Sequence, residues 1–230
     1  MSVAEELQEA LECRVAFVIP IFGGIPVPES CVVTWGIMAV LVLASILLVR
    51  KLKKVPTGSQ CIAEMLIEWM NKFILDTLGP KGKKYLPILE TMLIYIGISN
   101  LVGLFGFRPP TKDIGVTASL ALISIFLVQY CGIREKGVKG WLHSFIEPMP
   151  LMAFMNILEL GIKPLSLCMR LFGNVLGAFV IMELITMLLP VGLPLPFSII
   201  LDVGDGLLQA YVFVFLTSLY ISEAIEEEEN

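Results

Sequence analysis

Between Glu159 and Leu189 the chain reads ELGIKPLSLCMRLFGNVLGAFVIMELITMLL, apolar enough to lie in a membrane yet carrying Arg170 near its middle. An arginine at bilayer depth costs roughly 2.5–3.5 kcal/mol on insertion scales and more in simulations. The guanidinium does not lose its proton in proteins, so neutralisation offers no escape. Such a residue needs a partner or water, and by default it marks an ion or substrate pathway. At helical spacing one face collects Glu159, Lys163, Ser166, Arg170, Asn174 and Gly177, while Leu, Met, Ile, Phe and Val fill the opposite surface. Gly173 and Gly177 form a small-xxx-small pair that lets another helix approach closely. A purely structural Arg–Glu pair is the plainer alternative, but the stripe has more polar members than one pair requires.

The rest of the chain supplies the membrane context. It is 57% hydrophobic over 230 residues, with a mean hydropathy of +0.86, against roughly 45–50% apolar residues in a soluble domain. Only helices or closed barrels can span a bilayer. The apolar runs are long and lack period-2 alternation, so the expected class is an all-α membrane protein. The formal charge of −5 is unevenly spread. No basic patch interleaved with aromatics suggests nucleic acid. Cys13, Cys31, Cys61, Cys131 and Cys168 are scattered singly and His143 is the one histidine, so neither a disulfide framework nor a metal site is expected, and no cofactor is implied.

Taken in order, the acidic stretch Met1–Arg14 is the wrong charge for a signal peptide and reads as a short helix at a membrane surface. Pro20, Pro26 and Pro28 make 19–30 read as a loop. Val32–Val49 is an uncharged span ending at Arg50, Lys51, Lys53 and Lys54, which places that end in the cytoplasm and the N-terminus outside. Gln60–Leu78 is amphipathic, with Ile62, Met65, Leu66, Trp69, Phe73 and Ile74 on one face, and reads as an interfacial helix. Leu86–Phe107 is a second span with Glu90 at its inner end and Asn100 deeper, the latter suited to a hydrogen bond between helices. Arg108–Asp113 is a tight outer loop and Ile114–Ile133 a third span, followed by Arg134, Lys136 and Lys139 inside. Trp141 and His143 read as interfacial.

A fourth membrane segment begins near Met149 or Pro150 and runs to Leu189. Some 40 helical residues measure about 60 Å against a hydrocarbon core of about 30 Å, so the segment tilts, breaks or extends beyond the bilayer. Pro164 permits a local bend. Pro190, Gly192, Pro194 and Pro196 form an outer hairpin leading into a last helix, Phe197–Ser222. There Asp202, Asp205 and Gln209 fall at i, i+3 and i+7 and share a face. Two carboxylates in an apolar helix require water or cations. A short connection makes these two helices antiparallel neighbours. One then offers a fixed positive charge, the other acids and an amide. Together they can build aqueous access for cations, with Arg170 as the barrier to a continuous leak. The whole chain, 1–230, reads as a single polytopic membrane domain whose acidic C-terminus lies in the cytoplasm.

Three other classes compete. A secondary transporter would use Arg170 and the acids as a substrate or ion site, but it predicts internal repeats, and the sequence has none. An intramembrane enzyme needs a nucleophile–base or metal set at depth, and no such motif is present. A structural anchor leaves the Arg170 stripe without a use.

PLSLCMRLFGNVLGA resembles the signature of subunit a of bacterial F-type ATP synthases, and LLQAYVFVFLTSLYIS resembles that family's last helix. The NLVGL element at Asn100 and the ELGIKP element at Glu159 extend the likeness over most of the chain. The resemblance implies about five transmembrane helices, the last two long and strongly tilted as an antiparallel hairpin against a partner ring. It implies an ion-translocating stator subunit of the Fo sector in a bacterial plasma membrane. Two half-channels would carry H+ or Na+ to and from carboxylates of the c-ring, with subunit b of the peripheral stalk as a neighbour and F1 contacted indirectly. The chain itself would hold no catalytic site. By match to the motif, Arg170 faces the ring carboxylate, Asn174 and Gln209 line the path, Glu159 lies in the access route, and Asp202 stands where the family often has an acid or histidine. Many members carry an ionisable residue nine after the arginine; here that position is Phe179, with Glu183 one turn later and Asp205 on the facing helix as substitutes.

Overall fold

The structure, a computed structural model, describes residues 15–19, 25–50, 58–105, 109–144, 150–188 and 203–225. Among these, two short strands, β1 (Val15–Ile19) and β2 (Ile25–Pro28), precede six helices. The helices are α1 (Glu29–Val49), α2 (Ser59–Leu78), α3 (Leu86–Leu101), α4 (Ile114–Ser144), α5 (Pro150–Leu188) and α6 (Gly206–Ile225). Four stretches are long and apolar enough to cross a membrane: Glu29–Val49, Ile114–Ser144, Phe154–Met182 and Val203–Ile225. The expected all-α membrane class is therefore the class observed. The expected surface helix at the N-terminus, the lysines after Arg50, the outer hairpin at 190–196 and the acidic tail lie outside the described residues.

Two boundaries differ from the reading of the sequence. The proline-rich 19–30 segment is not a loop throughout: β1 and β2 pair antiparallel, with Phe17 opposite Val27 and Val18 opposite Pro26. A two-stranded ribbon has two open edges, so prolines without an N–H are tolerated on it. The second span is not one helix to Phe107. The 16-residue α3 is about 24 Å long and is prolonged by a 3-10 turn, Val102–Phe105. The apolar face of α2, read as interfacial, is divided between the protein interior and its surface. Met70, Ile74 and Leu78 are buried, whereas Ile62, Met65, Leu66 and Trp69 are exposed.

The long fourth segment forms as expected. α5 runs for 39 residues with Pro164 inside it, about 58 Å at 1.5 Å per residue. α4 contains one break, at Gly137, whose φ of 71° suits a residue without a Cβ.

The chain divides into two compact units, each assembled from three stretches. The first comprises Met1–Leu47, Tyr95–Thr117 and Arg170–Ala210. Asn100 is its organising residue. Its Nδ2 donates to the Gly206 carbonyl at 2.8 Å, and its Oδ1 accepts from Thr111 Oγ1 at 2.7 Å. This is the hydrogen bond between helices that the sequence suggested. A Cβ on residue 206 would sit 2.9 Å from the Asn100 Cβ, so this approach requires glycine. Asp113 caps α4 by accepting the Gly115 N–H at 2.9 Å, and its other oxygen accepts from Ser30 Oγ on α1 at 2.5 Å.

The second unit comprises Leu48–Ile94, Ala118–Met169 and Tyr211–Asn230. Ile74, Leu89, Leu167, Phe213, Val214 and Ile221 are almost wholly buried there. Phe73 stacks on Tyr211 with centroids 4.2 Å apart, fixing the C-terminal half of α2 to α6. Ser124 and Thr217 share a buried hydrogen bond of 2.8 Å between α4 and α6. Lys84 pairs with Glu135, and Tyr85 Oη donates to the same carboxylate at 3.3 Å. Trp141 Nε1 donates to Gln129 Oε1 at 2.8 Å.

Candidate functional site

Arg170 stands on an unbroken stretch of α5, and its side chain is exposed. Among the described residues no hydrogen bond or ion pair holds its guanidinium. A permanent cation on a membrane-length helix thus has no counter-charge among the described residues, which is costly at bilayer depth.

One turn on, Asn174 Nδ2 donates to Gln209 Oε1 on α6 at 2.6 Å. Gln209 is 3% exposed, and its own Nε2 is buried with no acceptor. Two unmade donors in a buried place are a standing demand for water or another acceptor. Asp205, half-buried, lies one turn before Gln209. It closes a π-helical turn, 203–205, that leads into α6; π-turns occur preferentially at functional sites. The pairing of the amides, which sequence alone left as two separate positions, is therefore direct.

Other predicted positions are placed differently. Glu159 is exposed and sits 3.1 Å from Lys163 Nζ, one turn along α5. Lys163 also meets Glu223 of α6 at 2.9 Å and lies 5.1 Å from the Tyr220 ring centroid. Glu223 was not singled out from the sequence, where it falls between the last helix, ending at Ser222, and the acidic tail from Glu226. Glu183 lies on α5 and its side chain is outside the described residues, as is Asp202 altogether. Among the described residues no helix approaches Gly173 or Gly177: a Cβ on either would meet nothing within 4 Å. The close packing occurs instead at Gly206. Phe179 carries the Lys112 ammonium 3.1 Å from its ring centroid.

Fold and site together define a polytopic helical membrane protein with an arginine unpaired among the described residues and a pair of amides on membrane-length helices. The family model described as the ATP synthase A chain matches residues 31–222. The chain is 37% identical over 204 residues to the ATP synthase subunit a of Moorella thermoacetica, covering 88% of this chain and 93% of that one. It is 36% identical over 204 residues to the ATP synthase subunit a 2 of a Bradyrhizobium species, covering 88% and 91%. With the ATP synthase subunit a of Geobacter sulfurreducens the identity is 35% over 204 residues, covering 86% and 88%. The chain belongs to the ATP synthase A chain family, and it is an integral membrane protein.

Proposed function

We propose that this chain is the ion-translocating stator subunit of an ATP synthase membrane sector, working against a rotating ring of subunit c. The observation that carries the proposal is the exposed guanidinium of Arg170, which has no partner among the described residues. A ring carboxylate arriving beside it would be held ionised and would release its cation, since an opposite charge within ~4–6 Å favours the charged form. When that carboxylate moves on, Arg170 bars direct passage of a cation across the same place. One access path would run by Asn174, Gln209 and Asp205, where the buried Gln209 Nε2 supports a line of water. Asp202 and Glu183 extend it. The other would reach the opposite side by Glu159. The unfilled space over Gly173 and Gly177 fits close approach by a ring helix.

On this reading the chain is one polytopic domain of about five spans, with α5 and α6 strongly tilted, the N-terminus outside and the C-terminus in the cytoplasm of a bacterial cell. Subunit b and, indirectly, F1 complete its surroundings. It performs no covalent chemistry; it couples flow of H+ or Na+ to ring rotation and hence to ATP synthesis or ATP-driven pumping.

The test is ATP-driven ion uptake in inverted membrane vesicles, with and without sodium. Removing one partner of a desolvated charge pair costs about 2–5 kcal/mol, so Arg170→Ala should lower coupled uptake by roughly thirtyfold or more while the complex still assembles. An assembled variant that pumps like the parent would end the proposal. The sodium dependence of the parent identifies the ion.

A further inference from the structure

Glu90, at the inner end of the second span, has a buried carboxylate oxygen that nothing holds. It is the fifth residue of α3 and is half-buried. Its Oε1 is shut off from solvent and accepts no hydrogen bond among the described residues. An ionised carboxylate so placed is costly, because neither water nor a protein donor offsets the charge on that oxygen. A proton or another bound cation removes the cost. The side chain as a whole remains partly exposed, so the carboxyl stands between the interior and the surface.

Several charged groups of the same compact unit are bonded elsewhere. Lys84 pairs with Glu135, which also accepts from Tyr85. Arg134 donates to Tyr130 at 2.8 Å, and Lys163 meets Glu159 and Glu223. None of these bonds reaches Glu90.

Its place on α3 ties it to the helix of the amides. Seven residues are almost two full turns, so Glu90 and Gly97 share a face. A Cβ on Gly97 would lie 3.8 Å from Leu207 and 3.9 Å from Ala210 of α6. Asn100, three residues further, bonds to the Gly206 carbonyl. Glu90 is thus on the side of α3 that meets α6, the helix of Asp205 and Gln209. It stands at the opposite end of α3 from Asn100, just after the basic turn Pro80–Tyr85, which marks the cytoplasmic side.

Resting on the ion-path reading above, we infer that Glu90 is a further ion-path residue, whose carboxylate binds and releases the transported cation on the cytoplasmic side. The step is a reversible exchange. The carboxylate gains a proton or a sodium ion, which satisfies its unmatched oxygen, and later gives the same cation up. Two acids then serve the inner access route, Glu159 on α5 and Glu90 on α3.

The experiment uses the whole complex in inverted vesicles, whose medium faces the cytoplasmic side. ATP-driven uptake is measured while medium pH and medium sodium are graded separately. The ion whose concentration sets the rate gives a half-saturation value. Glu90→Gln keeps the shape of the neutral acid but cannot take up a cation. It should raise that concentration roughly tenfold or more, the weight of one charge-assisted bond. Glu90→Asp, which keeps the charge, should recover most of the shift. ATP synthesis in proteoliposomes, with the ion graded on the opposite side, should show a smaller change, because loading there runs by Asn174 and Gln209. A merely structural role would lower assembly or the maximal rate without moving one side alone. An equal shift on both sides, or none on the cytoplasmic side in assembled Glu90→Gln, overturns the inference. If Glu90→Gln does not assemble, the parent complex carries the test. A hydrophobic carbodiimide couples to protonated carboxyls, so mass spectrometry should find it on Glu90. That labelling should fall as the medium is made alkaline or, in a sodium-coupled complex, as sodium is added; absent or invariant labelling overturns the inference. Arg170→Ala in the same vesicles separates the two readings. If it pumps normally, the ion-path reading fails; if it is inactive while Glu90→Gln is unshifted, only the role of Glu90 fails.

Discussion

Lys163 and Arg170 stand two helical turns apart on one face of α5, and the chain treats them oppositely. Lys163 meets Glu159 at 3.1 Å and Glu223 at 2.9 Å, with the Tyr220 ring beside it. Arg170 has no such partner among the described residues and is exposed. A cation that stays in place is supplied with carboxylates from its own chain. A cation that must meet a succession of carboxylates from a partner cannot be, because an internal acid would hold it permanently. On the proposed reading, the lack of a partner for Arg170 among the described residues serves ion flow, and substitution can remove it.

The sharpest way to break the contrast is to give Arg170 what Lys163 already has. Asn174→Glu places an acid one turn from Arg170, the spacing at which Glu159 serves Lys163. The new carboxylate should occupy the guanidinium and compete with the ring. Coupled ion uptake in vesicles is expected to fall by about tenfold or more, since one such pairing at bilayer depth is worth upwards of about 1.4 kcal/mol. Asn174→Gln, equally long but neutral, is the control and should retain most of the uptake. Equal uptake by Asn174→Glu and the parent would mean that Arg170 need not be free.

The next effect concerns the amides beside it. Gln209→Leu removes the acceptor of Asn174 and the spare buried donors of Nε2 together. Uptake should drop by roughly five- to tenfold, in line with the ~1–1.5 kcal/mol of a net hydrogen bond. Asn174→Leu combined with Gln209→Leu should then cost less than the two single losses summed, with a coupling of about 0.5–3 kcal/mol measured through the four transport rates. Strict additivity would mean that the two amides act separately despite their 2.6 Å contact.

A milder change tests the other side of the comparison. Lys163→Met strands Glu159 and Glu223, whose side chains are 50% and 58% exposed. Exposed ion pairs contribute at most about 1 kcal/mol, so the thermal midpoint of the complex should fall only slightly and uptake should stay within about threefold of the parent. A collapse of transport as complete as that of Arg170→Ala would show that the paired cation, too, takes part in ion flow.

Much of this contrast was legible in the sequence, and the parts that were not share a cause. The length of α5, the polar stripe through Arg170 and Asn174, and the helix bearing Gln209 all follow from spacing and apolar runs along single elements. Asn100 as a bond between helices followed from the cost of an amide in an apolar helix. Contacts between distant residues were not legible. Lys112 in a polar turn carries no signal that it will sit on Phe179, and Glu223 is masked by the acidic run that follows it. Gly173 and Gly177 carry the small-residue signature yet meet no helix among the described residues, while Gly206, four residues before Ala210, sits against Asn100 of another helix. The prolines of 19–30 hid a hairpin because proline rules out central strands only, and a two-stranded ribbon has none.

The smallest effect is expected where two helices are joined by a polar pair that lacks nothing. Ser124 and Thr217 bond at 2.8 Å in a buried place, and Thr217 Oγ1 also reaches the Phe213 carbonyl at 2.9 Å. Unlike Gln209, this pair has its bonds satisfied within the chain and makes no call for water. Ser124→Ala should therefore lower the stability of the complex by about 1 kcal/mol, the net worth of one hydrogen bond, and leave coupled uptake and its ion dependence unchanged. Thermal unfolding and vesicle transport, measured on the same preparation, separate the two quantities. A loss of transport without loss of stability would place Ser124 and Thr217 on the ion path and would end the distinction between closed and open polar pairs, since both would then serve flow.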